Sequence, residues 1–350
     1  MKYHEGFASG VLAVAALLFA TTARADDVYV TRSNNTIDII DTVTKAESTW
    51  VSTGLDNPTG LAFDSSGNLF VVNKGDDSIV KISPGGTVTT FVSGSHGSAL
   101  LNDPQGLVVD SSGNVYVANL GSTGNNTNSI IKFNSSGAGS VFATSATLLN
   151  TPVGLAIDGN NNIYVATGLN EITKFTTTPT VTGSVFANAV AGTTNLNGLA
   201  FDKNGNLYVT STYNNSDPNH HIPNAITVYN TLGVGTIIAS NDGQVPNPPA
   251  GSTSYLFNPL GVAVDSAGNV YAANNSPSTS FGNNDTLYYS AANGPANLIL
   301  GGSPDNQPNF MAIGPAAVPE PSSLVETSLL LMMGGSIFGW WRRAAVHATA

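Results

Sequence analysis

One phrase recurs through the middle of the chain and limits its fold more than any other feature. It reads PTGLAFDSSGNLFV at residues 58–71, PQGLVVDSSGNVYV at 104–117, PVGLAIDGNNNIYV at 152–165, LNGLAFDKNGNLYV at 196–209 and PLGVAVDSAGNVYA at 259–272. The first glycines of these copies, Gly60, Gly106, Gly154, Gly198 and Gly261, stand 46, 48, 44 and 63 residues apart. Self-similarity at this period marks a propeller or a solenoid, because each copy is a unit that buries its apolar faces only against its neighbours.

Within a copy, GLAF and its equivalents form a short strand apolar on both faces, as a sheet sandwiched between neighbours requires. Asp64 then opens a turn, Ser65 and Ser66 are central, and Gly67 takes the left-handed conformation that returns the chain into residues 69–71. Asn161 replaces that glycine in the third copy, and asparagine tolerates positive φ better than most residues. Each copy is thus a β-hairpin. Two further strand-like runs follow every hairpin, at 79–82 and 88–92, 130–133 and 140–143, 172–175 and 184–187, 226–229 and 236–239, and 287–289 and 297–300. Four strands per repeat make a propeller blade.

These residues resemble the NHL-repeat propeller family over residues 26–315. The resemblance implies an all-β fold, a six-bladed β-propeller of four-stranded blades. Tyr29 aligns with Phe70, so residues 28–30 match the second strand of a blade whose first strand would fall upstream. That first strand reappears at the far end as PNFMAI, 308–313, in the register of PTGLAF. The sixth blade is then shared, with 36–40 and 48–51 as its outer strands, and the C-terminal strand closes the ring on the N-terminal ones. Closure removes exposed sheet edges. A seventh blade does not fit, since the longest interval exceeds the first by 17 residues, too few for four strands.

The two ends read as addresses. Residues 1–25 combine Lys2, an apolar run at 11–20 and the exit Ala23-Arg24-Ala25, the layout of a secretory signal peptide cut after Ala25. A retained N-terminal anchor is the alternative. Residues 324–341 are 18 mostly apolar residues, enough at about 1.5 Å each for roughly 27 Å of a hydrocarbon layer near 30 Å. A single hydrophobic helix is therefore expected at each terminus, outside the propeller. Arg342 and Arg343 begin a basic tail, 342–350, that favours the cytoplasmic side. Upstream, the linker 316–323 carries Pro319-Glu320-Pro321. The order of PEP motif, apolar helix and Arg pair resembles the PEP-CTERM sorting signal of Gram-negative bacteria. That resemblance implies an exosortase-type processing partner, transient insertion into the inner membrane, removal of the tail, and a destination at the cell surface or in the extracellular matrix. A retained anchor facing the periplasm is the alternative.

Composition narrows the function classes. Charged residues make up 9% of the chain and the net charge is −11. A nucleic-acid binder is excluded on that ground, because no basic surplus exists to displace counterions from phosphates. Cysteine is absent, which removes disulfides, thiolate metal sites and Cys nucleophiles. With 41% hydrophobic residues and sparse charge, the chain is not of disordered composition. Residues 26–318 hold 7 Lys+Arg against 19 Asp+Glu, a net charge of −12. Simple electrostatic adhesion to an anionic polysaccharide is disfavoured, so stacking, neutral hydrogen bonds or bridging cations would carry binding.

Loop lengths vary in two classes, between strands two and three (120–128, 211–224, 274–285) and between blades (93–103, 241–257). In a four-stranded meander both classes emerge at one end of the sheet, so a single face carries the variation and is the candidate binding surface. On it, Asp217, His220 and His221 are the only dense titratable group. A metal or acid-base site is one reading; a solvated loop is the other, since two ligands without a third close no site and nothing demands that His96 supply it. Tyr213, Tyr255 and Phe281 in the long loops are candidates to stack on a sugar ring. Asp76, Asp77 and Asp285 could ligate Ca2+, the only cofactor the loops suggest. The repeated Asp64, Asp110, Asp158, Asp202 and Asp265 read as turn caps, and Phe70, Tyr116, Tyr164, Tyr208 and Tyr271 as packing between blades.

Two functions compete. The preferred one is a non-catalytic, exported propeller that binds polysaccharide or protein through its long-loop face. The alternative is a secreted metal-dependent hydrolase or lyase, lactonase-like, with a site on the same face. The propeller portion holds two Glu, Glu47 and Glu171, and three His, a thin supply for general acid-base work.

Overall fold

The computed structural model describes residues 27–44, 46–94, 100–121, 127–177, 180–212, 224–240, 256, 258–275, 286–289, 297–300 and 308–314. The expected terminal helices, the cleavage residues Ala23 and Ala25, and the sorting residues Pro319, Glu320, Pro321, Arg342 and Arg343 lie outside them.

The described residues are strands and connections, with no helix. β1 (Val28–Arg32), β2 (Thr36–Ile40) and β3 (Glu47–Val51) come first. Four strands follow: β4 (Pro58–Phe63), β5 (Leu69–Asn73), β6 (Ser78–Ile82) and β7 (Val88–Val92). The next copy gives β8 (Pro104–Val109), β9 (Val115–Asn119), β10 (Ser129–Phe133) and β11 (Gly139–Thr144). After it come β12 (Leu155–Ile157), β13 (Ile163–Thr167), β14 (Glu171–Thr176) and β15 (Thr182–Asn188). Then follow β16 (Leu196–Phe201), β17 (Leu207–Ser211), β18 (Ala225–Tyr229) and β19 (Gly235–Ser240). The last are β20 (Pro259–Val264), β21 (Val270–Asn274), β22 (Thr286–Tyr289), β23 (Asn297–Leu300) and β24 (Pro308–Ile313).

Among the described residues these strands form six four-stranded antiparallel sheets, five of them meanders of consecutive strands. The remaining sheet has the order β24-β1-β2-β3 and joins the two ends of the chain. Its register sets Val28 opposite Ile313 and Val30 opposite Met311. The fold is an all-β propeller with four-stranded antiparallel blades.

The inner strands β4, β8, β12, β16, β20 and β24 lie side by side around an axis. Their close approach explains the glycine of the repeated phrase. A Cβ on Gly60 would stand 2.6 Å from the Gln105 carbonyl oxygen and from Gly106 Cα, one on Gly198 would stand 2.6 Å from the Leu260 carbonyl oxygen, and one on Gly154 would overlap the Asn197 carbonyl. Next to this glycine the inner strand leaves its ladder through a register shift, as between Pro58 and Leu61. The freed groups bond the following sheet instead: Thr59 Oγ1 donates to the Gln105 carbonyl at 2.9 Å, and the Gly106 N–H to the Val153 carbonyl at 2.9 Å. Gly154→Ala is expected to cost about 1–3 kcal/mol, since a rigid backbone atom must move. Gly159→Ala, where a Cβ meets nothing within 4 Å, should stay within about 0.5 kcal/mol of the parent. Urea unfolding of both variants checks the pair.

The faces between sheets hold the core. Tyr29, Phe70, Tyr116, Tyr164 and Tyr271 are buried, and several meet a second ring edge-on: Tyr29 with Trp50 and Phe63, Tyr116 with Phe142, Tyr164 with Phe186 and Phe201, at centroid separations of 4.8–5.1 Å. The recurrent strand-two aromatic is therefore core, spent on packing between blades.

Candidate functional site

Strand direction divides the propeller into two faces of different chemistry. Five of the six inner strands run toward a turn that opens with Asp and closes through Gly or, at Asn161, Asn, so all such turns, and those between strands three and four, lie on one face. The loops between strands two and three, and between blades, lie on the other.

On the short-turn face the repeated aspartates are spent on their own turns. Asp64 Oδ1 accepts the Ser66 and Asn68 N–H groups, both at 2.9 Å, and its Oδ2 accepts the Asn68 side-chain amide at 2.8 Å. Asp110 and Asp158 repeat the pattern, and Tyr116 Oη adds a donor to Asp110 at 3.1 Å. Burial opposes ionisation of Asp110, but the bonds from Asn114, Ser112 and Tyr116 outweigh it and hold its carboxyl below the ordinary range. Gly67 has φ +79° and Asn161 φ +60°, the left-handed conformation the turn requires. The repeated aspartates cap backbone amides, with their acceptor capacity spent inside the turn.

The long-loop face carries a relay that the repeat conceals. Asn57, Asp103, Thr151, Asn195 and Asn258, each the residue before an inner strand or close to its start, have φ between 45° and 52°. The N–H of each of the first four is held by a side chain from the preceding sheet. Asn35 Oδ1 accepts from Asn57 at 2.7 Å, Asp77 Oδ1 from Asp103 at 2.9 Å, Asn128 Oδ1 from Thr151 at 2.9 Å, and Asn170 Oδ1 from Asn195 at 2.7 Å. The four acceptors themselves have φ between 51° and 64°. Neighbouring sheets are thus tied at the base of the long loops. The signal is visible in the sequence as an Asn, Asp or Thr before each PxGL phrase and an Asn or Asp before strand three.

Asp77 is accordingly engaged with the next sheet, and Asp76 Oδ1 accepts the Ser78 N–H at 3.1 Å. Lys74 Nζ pairs with Asp103 Oδ1 at 2.9 Å. Among the described residues no three His, Cys, Asp or Glu side chains come together. The residues expected to bind, Tyr213, Asp217, His220, His221, Tyr255 and Phe281, lie outside the described residues, as do His96 and Asp285.

A buried charge cluster stands apart from the repeat pattern. Arg32 occupies the place held by Asn73, Asn119 and Asn274 at the end of strand two, and its side chain is 1% exposed. Its Nε donates to Asp38 Oδ2 at 2.9 Å, and its Nη2 pairs with Glu47 Oε1. Asp38 Oδ1 is buried with no partner. Burial pushes the Glu47 carboxyl above its ordinary range; Arg32 counters this and Asp38 adds to it. Arg32, Asp38 and Glu47 stand on β1, β2 and β3 of the shared sheet.

Around the axis, a recess of about 320 Å3 is lined by glycines and apolar side chains of all six inner strands, among them Phe63, Ile157, Phe201, Val264 and Ile313. It spans from the glycines to the residues just before the Asp turns. Its lining side chains carry no titratable group, and the Met311 thioether is the one heteroatom among them.

Comparison with known proteins agrees with this geometry. Residues 101–133 match the NHL repeat. In fold, the chain is similar to a chain of the crystal structure of a Nidogen/Laminin complex, at TM-score 0.63 and 15% identity over 83% of this chain and 99% of that one. It is also similar to a protein of unknown function from Bacteroides caccae, at TM-score 0.56 and 15% identity over 83% of this chain and 99% of that one. A virginiamycin B lyase from Staphylococcus aureus aligns at TM-score 0.48 and 17% identity, over 72% of this chain and 73% of the lyase. No curated protein sequence matches the chain.

Proposed function

We propose that this chain is an exported recognition propeller, closed as a six-bladed ring, that binds a polysaccharide or a protein on its long-loop face at the cell surface or in the extracellular matrix. The observation that carries the reading is the contrast between its faces. One is a set of near-identical short turns whose aspartate carboxylates are spent on the turn itself, while the other bears every long and unequal connection on a rim braced from sheet to sheet. Binding surfaces concentrate on such loops held by rigid scaffolds.

A chain of similar fold occurs in a Nidogen/Laminin complex, which is compatible with a recognition role. Export rests on the leader ending at Ala25 and on the PEP-CTERM-like tail. The net charge of −12 over residues 26–318 favours stacking and neutral hydrogen bonds over ionic adhesion to an acidic polymer. Tyr213, Tyr255 and Phe281 would stack, and Asp217, His220 and His221 would add polar contacts, with Ca2+ as a bridge to a carboxylate-bearing polymer.

Purified residues 26–318, incubated with the host's own exopolysaccharide with and without Ca2+, are expected to co-sediment with the polymer. Joint replacement of Tyr213, Tyr255 and Phe281 by alanine should weaken retention several-fold. No retention in either condition, together with turnover of a lactone or ester, would overturn the reading.

A further inference from the structure

The sheet shared by the two ends of the chain fixes where those ends leave the propeller. In the ordinary copies the N–H of the turn's Asp donates to the carbonyl of its closing Asn, as Asp64 to Asn68 at 2.9 Å and Asp110 to Asn114 at 2.9 Å. In the shared sheet the Gly314 N–H donates to the Asp27 carbonyl at 2.8 Å. Gly314 follows β24 as Asp64 follows β4, and Asp27 precedes β1 as Asn68 precedes β5. The two ends therefore meet where every other sheet has its Asp-opened turn. Both leave from the short-turn face, opposite the long loops.

The span from Gly314 to the apolar segment at 324–341 is nine residues, 315–323, three of them proline. Fully extended, it reaches at most about 30 Å, and its prolines stiffen it. A tether of that length holds the body close to whatever the apolar segment occupies.

We propose that the full-length chain, inserted by its C-terminal apolar segment, sets its short-turn face against the lipid bilayer and presents its long-loop face outward. This rests on the reading of that segment as membrane-inserting, and it is independent of what the loops bind.

The absence of cysteine makes the test direct. Single-cysteine variants of the full-length chain, Ser65→Cys and Ser112→Cys on the short-turn face and Thr53→Cys and Leu169→Cys on the long-loop face, replace residues at the surface. Each is labelled with a fluorophore and reconstituted into phosphatidylethanolamine/phosphatidylglycerol vesicles that carry a nitroxide on a fraction of the headgroups. Quenching is expected to be several-fold stronger at positions 65 and 112 than at 53 and 169. Equal quenching, or the reverse order, in protein that co-floats with the vesicles would overturn the orientation alone. Protein that fails to float would overturn the insertion on which it rests. Neither result bears on polysaccharide retention, which is read on residues 26–318 without membrane.

Discussion

Ending the chain after Gln307 is expected to abolish cooperative folding, whereas ending it after Gly314 should leave the propeller intact. β24 supplies the inner strand of the shared sheet, pairing with β1 from Val28–Ile313 to Arg32–Pro308. Its Met311 packs with Val28, Val30, Ala263, Tyr271 and Ala273, and its Phe310 and Ala312 pack with Tyr29, Ile39 and Leu61. The Phe310 N–H donates to Thr31 Oγ1 at 3.1 Å, and Thr31 Oγ1 donates to the Thr59 carbonyl at 2.9 Å. Without β24, two interfaces between sheets lose their seam at once, and the N–H and C=O groups of β1 form an open edge. Circular dichroism melts and size-exclusion profiles of the two truncations check this. A sharp, parent-like transition in the shorter chain would show that the ring does not need its closing strand.

Arg32→Ala should be the most damaging single substitution, costing about 3–5 kcal/mol, because it strands the buried Asp38 carboxylate, with half-buried Glu47 beside it, without their counter-charge. Replacing the whole cluster tests the cause. Arg32→Asn with Asp38→Val and Glu47→Val restores the residues that Asn73, Val80 and Val88 supply in the next sheet, and it should recover most of the loss, since buried ion pairs rarely outperform well-packed neutral groups. The pH dependence has a definite sign. Glu47 has a folded-state affinity for its proton above the ordinary value. Native protein therefore holds more protons than unfolded protein between the two values, and the glutamate's share of stability falls as pH rises through the higher one. In Arg32→Ala the Glu47 carboxyl loses the neighbour that favours its ionised form. The variant's deficit should thus be smaller near pH 5 than at pH 8, as urea midpoints at the two values would show. A deficit independent of pH would place the loss in packing around the arginine stem.

Repetition made the architecture legible. Five copies of one hairpin fixed strands one and two, and the outer strands fell within one or two residues of where apolar alternation put them. PNFMAI disclosed its role because it shares the register of PTGLAF, and β24 does pair with β1. The Asp turns were readable because Asp, Gly and Asn each serve a bond that the turn geometry dictates. The Arg32 cluster escaped for the opposite reason. VYVTR departs from its copies at one position, and a departure identifies its partners only when the fold brings β2 and β3 alongside. The relay from Asn35, Asp77, Asn128 and Asn170 leaves its residue types in the sequence but not its partners, because Asn in loops ordinarily reads as solvated turn chemistry. Its meaning lies in contacts 22–26 residues away in sequence. The loop residues best placed by composition to touch a ligand are those in which the repeat has no counterpart, so no internal template constrains them.

The opened turn at Gly314 and Asp27 has a mechanical consequence. A ligand drawing on the loops while the tail stays fixed would apply force along the axis of β24. Tension in that direction shears the strand past β1, so its hydrogen bonds and the side chains wedged on both flanks resist together. Peeling the strand sideways would instead break them in succession, each under the full load. A tail on the opposite face would pull β24 through the recess from its other end, across the long loops.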